Sequence, residues 1–172
     1  MKHSDLNKLW TNYREDHRKW QTELGQQAAL LAKTVSERLE PTNTEWTEPS
    51  KGIKHRYITD LDLSDKPSPI AFGTEYKSIN DNGELVFAIS VTLERAPESF
   101  PKAPLTVPVA ARFREGKAEF AFYDRNSKAV GQPPNWETDI GTFADALIER
   151  IVKYLSFDPF QGPPKKSSIG FQ

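Results

Sequence analysis

Apolar side chains recur along the segment 4–40 at a single spacing: Leu6, Trp10, Tyr13, Trp20, Leu24, Ala28, Leu31, Val35 and Leu39, with His17 in the one polar slot. Intervals that average close to 3.6 residues put them all on one face of an α-helix. Ser4 offers an N-cap and Pro41 a stop. The pattern therefore predicts one helix of about 50 Å at 1.5 Å per residue, unless Gly25 divides it in two. A stripe that long is more than a small sheet covers, so the rest of the chain has to supply either a second layer or a partner.

The remaining segments read as strands and one further helix. Residues 41–52, rich in Pro, Thr, Asn and Ser, form a connector with a short strand around Trp46, and a second strand is expected over Lys54 to Asp60. Asn82-Gly83 is a strong hairpin signal, since both residues tolerate the positive φ of a type I′ turn. A two-residue loop there would set Ile79 opposite Val86, Lys77 opposite Ala88 and Glu75 opposite Ser90. Phe72, Thr74 and Tyr76 would then share a face with Phe87, Ile89, Val91 and Leu93. A second hairpin turning at Glu115-Gly116 sets Arg112 against Glu119, with Val107, Val109, Ala111 and Phe113 facing Ala118, Phe120 and Phe122. The same register places Arg114 against Lys117, a like-charge pair that a longer loop would avoid. Pro108 is expected on an edge strand, because it has no N–H for a central ladder.

From Thr138 to Phe157 the apolar spacing is helical again. The expected fold is α+β: a mostly antiparallel sheet of four to five strands, a C-terminal helix on one face and the long N-terminal helix. The expected units are 1–40, a helical segment; 41–157, the α+β domain; and 158–172, a flexible tail.

Composition removes several function classes. There is no cysteine, which excludes disulfides, thiol nucleophiles and zinc–thiolate sites. Basic residues number 23 and acidic residues 24, so there is no basic excess of the kind that captures nucleic acid. No nucleophile-elbow or phosphate-loop glycine pattern occurs. Neither a signal peptide nor an apolar run of membrane-spanning length is present, so the expected setting is cytoplasmic, with no membrane partner.

Two sets of residues remain as candidates. Glu75-Tyr76-Lys77, with Asp60 or Asp62 upstream, resembles the PD-(D/E)xK nuclease motif over about residues 60–77. The resemblance implies a divalent-metal nuclease in which Glu75 and Asp62 hold the cation and Lys77 steadies the attacking water. The sequence departs from that family in having no Pro-Asp pair upstream and in running from Lys77 straight into a hairpin. Alternating Glu and Lys on an outer strand face is also ordinary solubility chemistry.

The second set is Leu6, Trp10, Tyr13 and Trp20, a partner-binding stripe. The leading expectation is a non-enzymatic binding or assembly protein without a cofactor or resident metal. It would act through the long helix and through a sheet face of small residues (Gly73, Ala88, Ser90, Thr92, Ala110, Ala121), and its partner would be a second copy or another protein. The N-terminal helix is the expected cover for that small-residue face. A small-ligand site between sheet and helix is a third reading.

Overall fold

The structure, a computed structural model, describes residues 2–63, 68–69, 79–123, 135–156 and 170–171. Helix α1 runs from His3 to Leu39 without interruption, and Gly25 lies buried inside it rather than breaking it. The helix starts earlier than the Ser4 cap predicts: Lys2 is the cap, and its backbone N–H donates to the Asp5 carboxylate at 2.9 Å. It ends where Glu40 adopts φ 43° and donates its N–H to the Ser36 carbonyl, a left-handed cap of the usual kind.

Strands β1 (Glu45–Thr47) and β2 (Lys54–Arg56) form a small antiparallel ribbon. The main sheet contains β3 (Ile58–Asp62), β4 (Ser68–Pro69), β5 (Leu85–Leu93), β6 (Ala103–Arg114), β7 (Lys117–Phe122) and β8 (Gly170–Phe171). Its order is β4-β3-β5-β6-β7, all antiparallel, with β8 pairing the stretch of β6 at Leu105–Thr106. Helix α2 (Ile140–Leu155) begins at Asp139, whose carboxylate accepts from Thr142 N at 2.6 Å. The α+β class and the two helices are those expected from the sequence.

Alternation along the strands sorts the sheet into two faces. Leu85, Phe87, Ile89 and Val91 pair with Ala111, Val109, Val107 and Leu105, and these residues share one core with Leu24, Ala28, Leu31 and Val35 of α1 and Phe143, Leu147 and Ile151 of α2. Both helices therefore lie on this large-residue face. They are tied to each other by Arg38 and Asp145 at 3.4 Å, and Phe143 of α2 stacks on Phe120 of β7.

The opposite face carries Val86, Ala88, Ser90, Ala110 and Ala121, which are buried as well but do not belong to the helix core. The expectation that α1 covers the small-residue face is thus overturned. Leu24, Leu31 and Val35 bury more apolar area against Phe87, Ile89 and Val107 than alanines and serines could offer.

The two hairpins come out unequally. At Glu115-Gly116 the predicted register holds, including Arg112 against Glu119, with Nε and Oε2 at 2.8 Å, and Arg114 against Lys117. Glu115 and Gly116 both have positive φ, at 52° and 75°, the signature of a type I′ turn.

At Asn82-Gly83 the register is off by one. Ile79 bridges Leu85 rather than Val86, and only Gly83 has positive φ, at 74°. Gly83 N donates to Asn80 O at 2.9 Å, and Asn80 N donates to Glu84 O at 3.0 Å, so the loop has three residues instead of two. The Asn80 side chain selects this form: its Oδ1 accepts from Asn82 N and Glu84 N at 3.0 and 2.9 Å.

Further along β5 both edges are paired: Ala88 lies between Leu61 and Pro108, and Ser90 between Thr59 and Thr106. The predicted opposites Lys77 and Glu75 lie outside the described residues.

Pro108 also departs from expectation, since it sits in the middle of β6. Its carbonyl accepts from Tyr123 N at 3.1 Å, so its nitrogen points toward the β7 edge, just past the end of β7 at Phe122. The missing N–H falls where that ladder stops.

Candidate functional site

At about 100° per residue, Leu6, Trp10, Tyr13, His17 and Trp20 lie on the same line along α1 that Leu24, Ala28, Leu31 and Val35 continue. The second group is buried in the core. The first group runs off the end of the sheet, and every residue from 3 to 19 is exposed. The overhang is about 25 Å long. Leu6, Leu9, Trp10 and Tyr13 are 51%, 57%, 60% and 59% exposed.

The rings along it form a continuous run, stacked from Trp10 to His17 and tilted between His17 and Trp20. Trp10 and Tyr13 have centroids 5.9 Å apart, Tyr13 and His17 5.8 Å, and His17 and Trp20 5.2 Å. Gln21 and His17 also lie within hydrogen-bond reach at 3.3 Å. Of the four predicted partner-binding residues, three stand in solvent. The fourth, Trp20, is partly buried against the core, and its ring lies 3.7 Å from where a Cβ on Gly83 would be. Trp20 marks the point where the stripe leaves the domain.

The acidic candidates separate. Asp60 and Asp62 lie opposite Ile89 and Phe87 on β3, which puts them on the helix-facing side of the sheet. Burial pushes the Asp60 carboxyl above its ordinary value, against a backbone hydrogen bond and the charge of Arg56, which pull it down. Glu75 and Lys77 lie outside the described residues. Among the described residues no three His, Asp or Glu side chains gather closely enough to hold a metal ion.

A polar cluster not foreseen from the sequence sits where the β1–β2 ribbon meets the β5–β6 connection. The Lys102 ammonium donates to Tyr57 OH at 2.7 Å and to the Glu94 carboxylate, and Tyr57 OH donates to Glu94 Oε2 at 2.8 Å. Aromatic faces surround the ammonium: the rings of Tyr57, Phe100 and Trp46 have centroids 4.9, 5.1 and 5.9 Å from Nζ. Burial opposes the Lys102 charge, but the hydrogen bonds to Glu94 and Tyr57 outweigh it and hold the ammonium above the usual lysine value. Hydrogen bonds from Lys102 and Tyr57 hold Glu94 below the usual carboxylate range.

Trp46 stacks on His55 at 4.5 Å. The Lys102 side chain is only 4% exposed, which closes the cage to any outside cation. The cluster fastens the ribbon to the sheet.

A shallow groove of about 460 Å³ opens between α1, the β6–β7 hairpin and the start of α2, lined by Gln27, Phe113, Lys117 and Asp139 among others. It carries no convergent set of catalytic groups. Among the described residues no helix is long and apolar enough to cross a membrane. Compared with known proteins, the chain matches no family model, no curated protein and no solved structure.

Proposed function

We propose that this chain is a non-enzymatic binding or assembly protein whose working element is the overhanging half of α1. One observation carries the proposal. A helix anchored in the core by Leu24, Leu31 and Val35 extends past it and presents Leu6, Leu9, Trp10 and Tyr13, each more than half exposed. Scattered exposed apolar residues are ordinary, but a contiguous aromatic stripe on a preformed helix is the recurring form of helix-in-groove and helix-pair recognition. Among the described residues of the small-residue face, Val86, Ala88, Ser90, Ala110 and Ala121 are buried, which supports placing the working surface on the helix. Metal-dependent cleavage gains no support from the described residues.

The test is the oligomeric state of the intact chain at tens of micromolar by light scattering, alongside Trp10→Glu and Tyr13→Glu. Association that these exposed-site changes abolish, with helical content retained in far-ultraviolet circular dichroism, supports the reading. An association indifferent to both changes, or a monomer that no concentration perturbs, removes self-assembly through the helix.

A further inference from the structure

The overhang of α1 ends where its own sheet begins, which constrains both the molecule that covers it and that molecule's direction. We infer that the occupant is the overhang of a second copy, running antiparallel. This rests on the helix being the interaction element and goes further in fixing the geometry of the pair.

The exposed stripe and the core stripe of α1 lie on one line, so the domain's own sheet stands on the stripe side of the helix from Trp20 onward. A partner helix running parallel to α1 would collide with that sheet after the first few turns. A partner running antiparallel enters from the open end and stops where Trp20 lies over the Gly83 turn.

A two-fold axis near residues 11 and 12 satisfies both copies at once. Trp10 meets Tyr13 of the partner subunit, Leu6 meets His17 of the partner subunit, and each helix tip abuts the partner's Gly83 turn. At about 60% exposure, Trp10 and Tyr13 offer on the order of 250 Å² per copy. Doubled by symmetry and joined by Leu6 and Leu9, the buried area approaches roughly 1,000 Å², the scale of a weak, concentration-dependent dimer.

The absence of cysteine makes the orientation directly measurable. Ser4→Cys, Asn12→Cys and Thr22→Cys, each on an exposed position of α1, carry a nitroxide label for pulsed electron spin distance measurement on the full chain. An antiparallel pair gives its shortest distance at residue 12. The axial separation then grows by about 3 Å per residue in both directions, to about 20 Å at residue 4 and about 30 Å at residue 22. Three similar distances in a dimer that Trp10→Glu dissolves would overturn the antiparallel arrangement and leave self-association standing. No intermolecular distance at any site, with a monomer by light scattering, would overturn both.

Discussion

Gly83 separates a backbone requirement from a packing one. Its φ of 74° lies in the left-handed region, where a Cβ meets the following carbonyl at a cost of roughly 1–2 kcal/mol. The space around it is not restrictive: an added Cβ would stand 3.7 and 3.9 Å from two atoms of the Trp20 ring, ordinary van der Waals contact. The cost of substitution should therefore follow backbone preference rather than side-chain volume. Gly83→Asn is expected to cost least, Gly83→Ala about 1 kcal/mol, and the β-branched Gly83→Val about 2 kcal/mol. For a chain of this length each kcal/mol lowers Tm by roughly 2–4 °C, which places Val about 4–8 °C below the parent in a thermal melt.

Gly83→Val and Trp20→Ala should add nearly independently in a double-mutant cycle, since the penalty does not pass through the ring. A coupling of 1 kcal/mol or more, or a Gly83→Ala variant as stable as the parent, would refute the backbone account. Either result would also remove the three-residue loop from which the position of Ile79 opposite Leu85 is read.

Other expected outcomes follow from single sites. Glu115, at φ 52° in the other turn, bears left-handed strain with a side chain poorly suited to it, so Glu115→Asn should stabilise by up to about 1 kcal/mol in chemical denaturation. Because burial raises the Asp60 carboxyl, the folded chain takes up that proton more readily than the unfolded one. Asp60→Asn should therefore raise Tm at neutral pH, and the gain should shrink as pH falls through the raised value. Glu94 runs the other way. Its depressed folded value means its contribution is complete above the usual glutamate range and is lost as pH falls through that depressed value, so Glu94→Gln should lower Tm at pH 7 and match the parent in strong acid.

The parts of the fold legible in the sequence are those fixed by local pattern. The α1 stripe and the β6–β7 register, down to Arg112 against Glu119, follow from periods of 3.6 and 2 and one turn. The Asn82-Gly83 signal misleads because two hairpin loops share its glycine in the left-handed region. The deciding group is Asn80, whose side chain binds two backbone N–H groups, and no periodicity registers that. The pairing of β5 with β3 brings Asp60 opposite Ile89 across many residues of chain, so burial of the whole face sets it rather than any neighbouring residue. The Lys102 cluster escaped for a similar reason. Trp46, Tyr57, Glu94, Phe100 and Lys102 share no spacing, and the only hint was the density of aromatic residues. The exposed stripe was legible as a stripe, but its division at Trp20 into a packed half and a free half depends on where the sheet ends.

That division has a thermodynamic consequence. An isolated helix of fewer than about 12–15 residues is marginal in water because its first turn is costly to nucleate. The overhang carries no nucleus of its own: it propagates outward from turns already fixed by Leu24, Leu31 and Val35. In the unpaired chain its order is borrowed and should decay toward the tip, so at concentrations below pairing amide exchange quickens steadily from Trp20 to His3 while the residues around Leu24 open only with the whole domain. A cavity cut at Leu24 would then loosen Trp10, more than 20 Å away along the helix axis at about 1.5 Å per residue, although the two side chains never touch.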